Sequence, residues 1–129
     1  MKAIITSFIM AASVVLLSFA QPSTIDGVIG ALRAGNAPEL SKYFDDNVEV
    51  GLPVKSDSYS KAQAQVILKD FFTNNGVKGF ELKHKGDSPT GQYCVGTLQT
   101  KSGNFRGHVF MRSKGNKEVV KEIRFQPLD

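Results

Sequence analysis

The side chains that could carry out chemistry are few, and the most suggestive are two adjacent carboxylates and a histidine. Asp45 and Asp46 could act as a general base or bind a cation, but such a pair more often ends a helix and solvates a turn. His108 is expected on a strand face opposite Glu122, which would help it to keep its proton. The competing interpretation of His108 is a solvated cross-strand pair, because that face is polar along most of its length.

A second histidine and two tyrosines complete the candidate set. In a regular strand His84 shares a face with Phe80 and Leu82, which predicts a histidine that points into the core or into a pocket. An enzyme built on this chain would pair a histidine or a carboxylate with a tyrosine. The candidate pocket or surface site therefore comprises Tyr43, Asp45, His84, Tyr93 and His108.

The sequence predicts neither a metal centre nor a cofactor site. It has two histidines and one cysteine, without the close carboxylate–histidine spacing of zinc or iron ligands. It also lacks a nucleophile elbow, a phosphate-binding glycine loop and a dinucleotide fingerprint. Cys94 cannot form an intrachain disulfide, since it is the single cysteine, and we predict a small buried residue there.

The charge is mildly basic, and its distribution argues against nucleic-acid binding. The chain has 16 Lys and Arg against 12 Asp and Glu, a formal net charge of +4. A nucleic-acid binder would cluster its basic residues and interleave them with aromatic residues, whereas here they are scattered through predicted strands and turns. We interpret the charge as a contribution to solubility.

The first twenty residues are typical of a cleavable export signal. Met1 and Lys2 form a short positive start, and residues 3–17 are uncharged and largely apolar. Ser18-Phe19-Ala20 then places small residues at the two positions that a signal peptidase reads. The sequence therefore predicts cleavage after Ala20.

Cleavage would leave residues 21–129 as one domain in the periplasm or outside the cell. Gln21 stands where a lipidated cysteine would follow the cut, so we expect no stable membrane anchor. The alternative is an uncleaved anchor, because residues 3–20 are just long enough to span a bilayer. They lack the flanking charges that would favour it.

Helix signals dominate the start of the predicted domain. Ser23 is the predicted cap of a first helix that stops at Gly35. Asn36 and Pro38 then start a short second helix, because proline is tolerated in a first turn. We predict that Asp45-Asp46-Asn47 ends this second helix.

Strand patterns follow on both sides of a third helix. Residues 47–52 alternate as a half-buried strand that Pro53 ends. Ser60 and Gln63 form a capping box for the third helix, which ends at Gly76. Four alternating segments then predict an antiparallel meander, with strands at 80–85, 92–100, 105–112 and 118–126.

The last two strands can be aligned from their apolar residues, because opposed residues share a face. Pairing odd with odd positions gathers the large apolar side chains on one face: Phe105, Val109, Met111, Val119, Ile123 and Phe125. The other face then carries the charged and polar side chains of both strands: Arg106, His108, Arg112, Glu118, Glu122 and Arg124.

This order of elements resembles the nuclear transport factor 2-like superfamily. The resemblance rests on Gly35-Asn36 between the first helices and on Tyr43-Phe44-Asp45-Asp46-Asn47-Val48-Glu49-Val50, which leads into the first strand. The chain looks most like an exported Bacteroidetes family of unknown function. The resemblance implies an α+β cystatin-like cone, in which three N-terminal helices pack on a curved, mainly antiparallel sheet around an apolar pocket.

Members of that superfamily include isomerase-like and dehydratase-like enzymes, ligand binders and interaction modules that dimerise through the sheet. The isomerase pattern needs a carboxylate base shortly after the Asp45-Asp46 element and a tyrosine in the first helix. The base position falls at Val50 or Gly51 and the tyrosine at Val28, and none of these side chains can move a proton. No catalytic residue is therefore assigned.

We expect a non-catalytic exported domain that binds a small apolar ligand or a protein partner through the pocket or the sheet. The alternatives are an enzyme with acid–base chemistry in the pocket and a structural homodimer formed through the sheet. Convergence of the candidate residues in a closed cavity would favour the enzyme. Filling of the cavity by phenylalanines would disfavour a ligand, and the residues concerned are Phe71, Phe72, Phe105 and Phe125.

Overall fold

The computed structural model describes residues 24–128. They form helices α1 (Thr24–Ala34), α2 (Ala37–Ser41) and α3 (Lys61–Asn75). The strands are β1 (Phe44–Gly51), β2 (Ser56–Ser60), β3 (Val77–Ser88), β4 (Gly91–Thr100), β5 (Gly103–Lys114) and β6 (Lys117–Pro127). The predicted signal peptide and the Ser23 cap lie outside the described residues. Within residues 24–128, no helix has the length and apolar character needed to cross a membrane.

The strands form one sheet in the order β2-β1-β6-β5-β4-β3. Strands β3 to β6 are the predicted antiparallel meander, and β1 adds to it through a parallel pairing with β6. The α+β class and the mainly antiparallel sheet are thus confirmed. Two strands lie between the second and third helices, because β2 adds a strand that the sequence did not predict.

The helix ends lie where the sequence predicted them, with one exception. The Asn36 side chain accepts a hydrogen bond from the Glu39 N–H at 3.0 Å, and Ser60 and Gln63 form the predicted capping box. Gly35 and Gly76 follow α1 and α3 with φ of 62° and 70°, a left-handed conformation that glycine adopts at little cost.

The exception is the end of the second helix, where the prediction was wrong. Asp45 and Asp46 do not end α2, which stops at Ser41; they belong to β1. The Val120 N–H of β6 donates to the Tyr43 carbonyl at 2.7 Å, and Phe44 pairs with Val120. Pairing with a strand far along the chain thus overrides the local turn signal.

Strand β2 escaped prediction because it is short and polar, with the sequence SDSYS. Its backbone pairs with β1 at the edge of the sheet. The Ser58 N–H donates to the Asp57 carboxylate at 2.8 Å, and the Ser60 N–H donates to the Gln63 side chain at 3.2 Å. Side-chain acceptors therefore occupy two alternate amides of this edge strand.

The interior lies between the helices and the inner face of the sheet. Its largest fully buried side chains come from every layer: Leu32, Leu40, Leu68, Leu98, Ile123 and Phe125. Phe71 lies 5.2 Å from Phe105, 5.3 Å from Phe125 and 6.1 Å from Phe72, measured between ring centroids. These four rings, the phenylalanine cluster, fill the space between α3 and the last strands where the resemblance implied a pocket.

Candidate functional site

The outer face of the sheet, which points away from the helices, holds most of the candidate residues. Its strand pairing follows from the predicted odd-with-odd register, which holds from Phe105 to Phe110 until a bulge before Met111. One row across the strands runs through Arg124, His108, Val95 and His84, and the next through Glu49, Glu122, Phe110 and Tyr93. A third row contains Arg106, Thr97 and Glu81.

His84 lies on this outer face, so the prediction that it points into the core or a pocket was wrong. A β-bulge between Leu82 and His84 inserts an extra residue, which reverses the alternation of side chains along β3. His84 consequently pairs with Val95 and is exposed. Its Nε2 lies 2.9 Å from the Tyr93 hydroxyl, at hydrogen-bond distance.

Four rings form a line across three strands on this face. The centroid distance is 5.5 Å from His84 to Tyr93, 6.5 Å from Tyr93 to Phe110 and 6.1 Å from Phe110 to His108. The Phe110 side chain is 41% exposed. We call this line the ring row. Phe110 is not among the candidates predicted from the sequence, although it lies between His108 and Arg112 in the alternation and is therefore on the polar face of β5.

His108 is opposite Arg124 on β6, whereas Glu122 is opposite Phe110, so the predicted pairing of His108 with Glu122 was wrong. Odd-with-odd pairing fixes which residues share a face but not which residues are opposite one another, and in the structure Arg124 lies opposite His108. Partial burial and the nearby positive charge of Arg106 lower the pKa of His108, and the charge of Glu122 opposes them only in part. The neutral imidazole is therefore favoured here.

Asp45 lies apart from the ring row, in a network of charges at the start of β1. Its carboxylate lies 2.8 Å from Lys114 Nζ and 3.4 Å from Arg112 Nε, and its side chain is 13% exposed. The hydrogen bond from Lys114 lowers the pKa of Asp45. This carboxylate is a weak base with its oxygens engaged, so its evident role is to tie β1 to the end of β5.

Tyr43 also lies away from the ring row, against the first helix. A Cβ added at Gly27 of α1 would come 2.3 Å from the Tyr43 hydroxyl oxygen, so the glycine makes room for the ring. The structure thus brings together three of the candidate residues, His84, Tyr93 and His108, and places Tyr43 and Asp45 elsewhere.

The cysteine and the positions that a metal site or an isomerase would use offer no reactive group among the described residues. Cys94 is buried, as predicted, and burial raises the pKa of its thiol to about 11. Residues 24–128 contain no cluster of three or more histidine, cysteine or acidic side chains that could hold a metal ion. Val28 and Val50, at the positions that an isomerase would use, are buried apolar side chains.

The family model of a domain of unknown function, DUF4783, matches residues 25–126. The chain belongs to this family. A DUF4783 protein from Bacteroides uniformis is 36% identical, with a TM-score of 0.80 over 83% of this chain and 99% of that one. A DUF4783 protein from Bacteroides ovatus is 35% identical, with a TM-score of 0.77 over 80% of this chain and 94% of that one.

More distant structures show the fold that DUF4783 shares with other proteins. An NTF2-like protein of unknown function from Cytophaga hutchinsonii is 9% identical, with a TM-score of 0.59 over 85% of this chain and 95% of that one. A Nostoc punctiforme domain with a cystatin-like fold is 8% identical, with a TM-score of 0.62 over 81% of this chain and 72% of that one. No curated protein matches the chain. The predicted resemblance to the nuclear transport factor 2-like superfamily is therefore confirmed at the level of the fold.

Proposed function

We propose that this chain is a non-catalytic protein-binding module, in which the outer face of the sheet binds a second copy of the chain. The observation that carries the proposal is the ring row, because it exposes aromatic side chains on the sheet face that lies opposite the helices. Aromatic residues and arginine are enriched in the cores of protein interfaces, and Arg106, Arg112 and Arg124 flank the ring row.

The charges of the outer face favour a second copy as the partner. Glu81, Glu122 and Arg112 already have ion-pair partners, which are Lys83, Arg124 and Asp45. Among the described residues, Arg106 and Glu49 have no ion pair. A two-fold axis brings residue i of one copy to residue j of the other and reciprocally. Arg106 of each copy can therefore pair with Glu49 of the other across such an axis, which gives two contacts of opposite charge.

The position of these two residues is consistent with a face-to-face pair. Glu49 is in β1 and Arg106 is in β5, and β6 lies between them in the sheet. On β6, Glu49 has Glu122 as its neighbour, and Arg106 has Gln126. Arg124 lies between Glu122 and Gln126 on β6, and therefore midway between Glu49 and Arg106. An axis near Arg124 would thus leave the ring row within the contact.

Two features weigh against the alternative functions. The phenylalanine cluster fills the space that a small apolar ligand would need, so binding in the cone interior is disfavoured. His84 and Tyr93 are within hydrogen-bond distance but lie on an open face, where water is not excluded from a reacting group. The Asp45 carboxylate is ion-paired with Lys114 and lies away from His84 and Tyr93, so it cannot act as a base for them.

A charge swap tests the proposal. We expect the wild-type chain, purified after export, to sediment as a dimer at about 100 μM, a concentration at which weak homodimers form. Arg106→Glu and Glu49→Arg should each shift it toward monomer, because each places like charges opposite one another. The double variant should restore the dimer. Val66→Ser is the matched control, since Val66 is 58% exposed on α3, away from the outer face.

Three results would count against this function. A wild-type chain that stays monomeric at this concentration would exclude self-association. A dimer that neither charge reversal weakens would place the contact elsewhere, and capture of a different protein by the same face would make the partner heterologous.

We also propose that the domain acts after export, in the periplasm or outside the cell. The support is the sequence of residues 1–20, with its positive start and apolar run. Mass spectrometry of the purified protein should show a chain that begins at Gln21. A chain that keeps Met1 in the envelope fraction would indicate an uncleaved anchor.

A further inference from the structure

Both histidines of the chain lie on the outer face, at opposite ends of the ring row. Resting on the self-association proposed above, we infer that acidification releases the second copy, with His84 and His108 as the groups that respond. The argument depends on where these two side chains lie and on which charges surround them.

His108 is surrounded by more positive than negative charge. On its own strand it lies between Arg106 and Phe110, and β6 presents Arg124 directly opposite. The other neighbouring strand, β4, presents uncharged Val95. Glu122 is the carboxylate within reach, and it is bonded to Arg124. In a separate copy, a protonated His108 would therefore add a third positive charge beside Arg106 and Arg124; in the dimer, the Glu49 carboxylate opposite Arg106 offsets part of this charge and the second His108 adds to it.

The position of His108 makes this charge matter for a dimer. His108 is the β5 neighbour of Arg124, which lies midway between Glu49 and Arg106. An axis at that midpoint brings His108 close to its own copy in the second chain. The lowered pKa of His108 agrees with a neutral side chain in this position at pH 7.

His84 responds through a hydrogen bond. Its neighbours on β4 are Val95 and Tyr93, and the charged side chains near it on its own strand are Lys83 and Glu81, which bind each other at 2.6 Å. A neutral Nε2 can accept from the Tyr93 hydroxyl at 2.9 Å, whereas a protonated Nε2 can only donate. With either tautomer, a protonated His84 adds a positive charge at this end of the ring row.

The sign of the effect follows from proton linkage. Burial in an interface lowers the pKa of a histidine further, so the dimer binds fewer protons than two separate copies. Protonation of both histidines adds two positive charges to each copy, and therefore four to the dimer. Histidine is the side chain whose ordinary pKa, near 6.5, lies between pH 5.5 and pH 7.5. Acidification across this range therefore favours the monomer.

The test is the dimer dissociation constant, measured by sedimentation equilibrium at pH 7.5 and pH 5.5 on the protein purified after export. Each histidine that must be neutral in the dimer weakens the dimer as the pH falls, because the separate copies then bind more protons than the dimer does. We expect at least a tenfold increase in the wild-type constant. The His84→Gln/His108→Gln double variant should give the same constant at both values.

Each result has one meaning. A wild-type constant that does not change with pH overturns this inference and leaves the proposed self-association standing. An equal weakening in the double variant also overturns it, because another group must then respond. Monomer at both pH values overturns the self-association and this inference together. Thermal unfolding at each pH shows that the chain is folded, and the single variants His84→Gln and His108→Gln replace the double variant if that does not fold.

Discussion

Two groups of four rings lie on opposite faces of the same sheet, and they differ in every other respect. The phenylalanine cluster consists of four identical apolar rings, two from α3 and two from the strands beneath it. The ring row contains two histidines, a tyrosine and a phenylalanine, with arginines and glutamates around them. Strand β5 contributes to both groups, Phe105 to the inner one and His108 and Phe110 to the outer one, because successive side chains of a strand point to opposite faces. The inner group stabilises the fold, and the outer one leaves side chains available for a partner.

The largest effect is expected from breaking the inner group. Phe125 is fully buried and stacks on Phe71, so Phe125→Ala removes apolar contacts and leaves a cavity. We expect a loss of about 3–5 kcal/mol in the free energy of unfolding, measured by urea denaturation. A loss below about 1 kcal/mol would mean that the phenylalanine cluster is not a packed core.

A smaller effect is expected from the charge network that joins β1 to β5. Asp45→Asn removes the charge that Lys114 and Arg112 contact, and should cost about 1 kcal/mol at pH 7. Because the folded pKa of Asp45 is lowered, its stabilisation is present above its unfolded pKa of about 3.9 and is lost as the pH falls through the folded value. The free energies of unfolding of the variant and the wild type should therefore become equal at acid pH.

The matched control for that network is Asp46→Asn. Asp46 also contacts Lys114, at 3.2 Å, but its side chain is 87% exposed and solvent screens the pair. Urea denaturation at pH 7 should detect no significant change for this variant. Equal losses at both positions would contradict the distinction between a buried and a solvated partner.

The outer group should matter little for stability and much for association. Phe110→Ala removes a ring that is 41% exposed, so we expect a loss below about 1 kcal/mol in urea denaturation. The same variant should sediment as a monomer. A large loss of stability with an unchanged dimer would reverse the roles assigned to the two groups.

The smallest effect is expected from a substitution that tests which side chains of β4 point to each face of the sheet. Cys94 and Val95 are neighbours on β4, and Cys94 is buried while Val95 pairs with two outer-face histidines. A thiol reagent at pH 8 should modify the cysteine of Val95→Cys rapidly and the native Cys94 only as the chain unfolds, because burial raises the pKa of the native thiol to about 11. Rapid modification of Cys94 in the wild type would place it on the wrong face.

Local signals predicted the elements well where the determinant is itself local. The Ser60–Gln63 capping box and the glycines after α1 and α3 specify helix ends through a few neighbouring atoms. The alternation of β5 and β6 likewise predicted odd-with-odd pairing, which holds as far as Phe110; beyond the bulge, odd residues pair with even ones, as Met111 does with Val120.

The errors concern residues whose placement depends on distant strands. Phe44 joins β1 because Val120 of β6 pairs with it from more than seventy residues away along the chain, and Asp45 follows it in the same strand. The bulge that moves His84 to the outer face leaves no mark in a regular apolar–polar pattern. The site was therefore recognisable by residue type, but its assembly from His84, Tyr93 and His108 depended on the β3–β4 register.

The occupied amides of β2 have a consequence for how many copies can associate. With the Ser58 and Ser60 amides bound by side chains, this end of the sheet offers a poor template for another strand. Strand β3 forms the other edge of the sheet. In the proposed association the outer face is the contact surface, and a face that meets its own copy across a two-fold axis is buried once the pair has formed. As the protein concentration rises, association should therefore stop at the dimer and should not produce a filament.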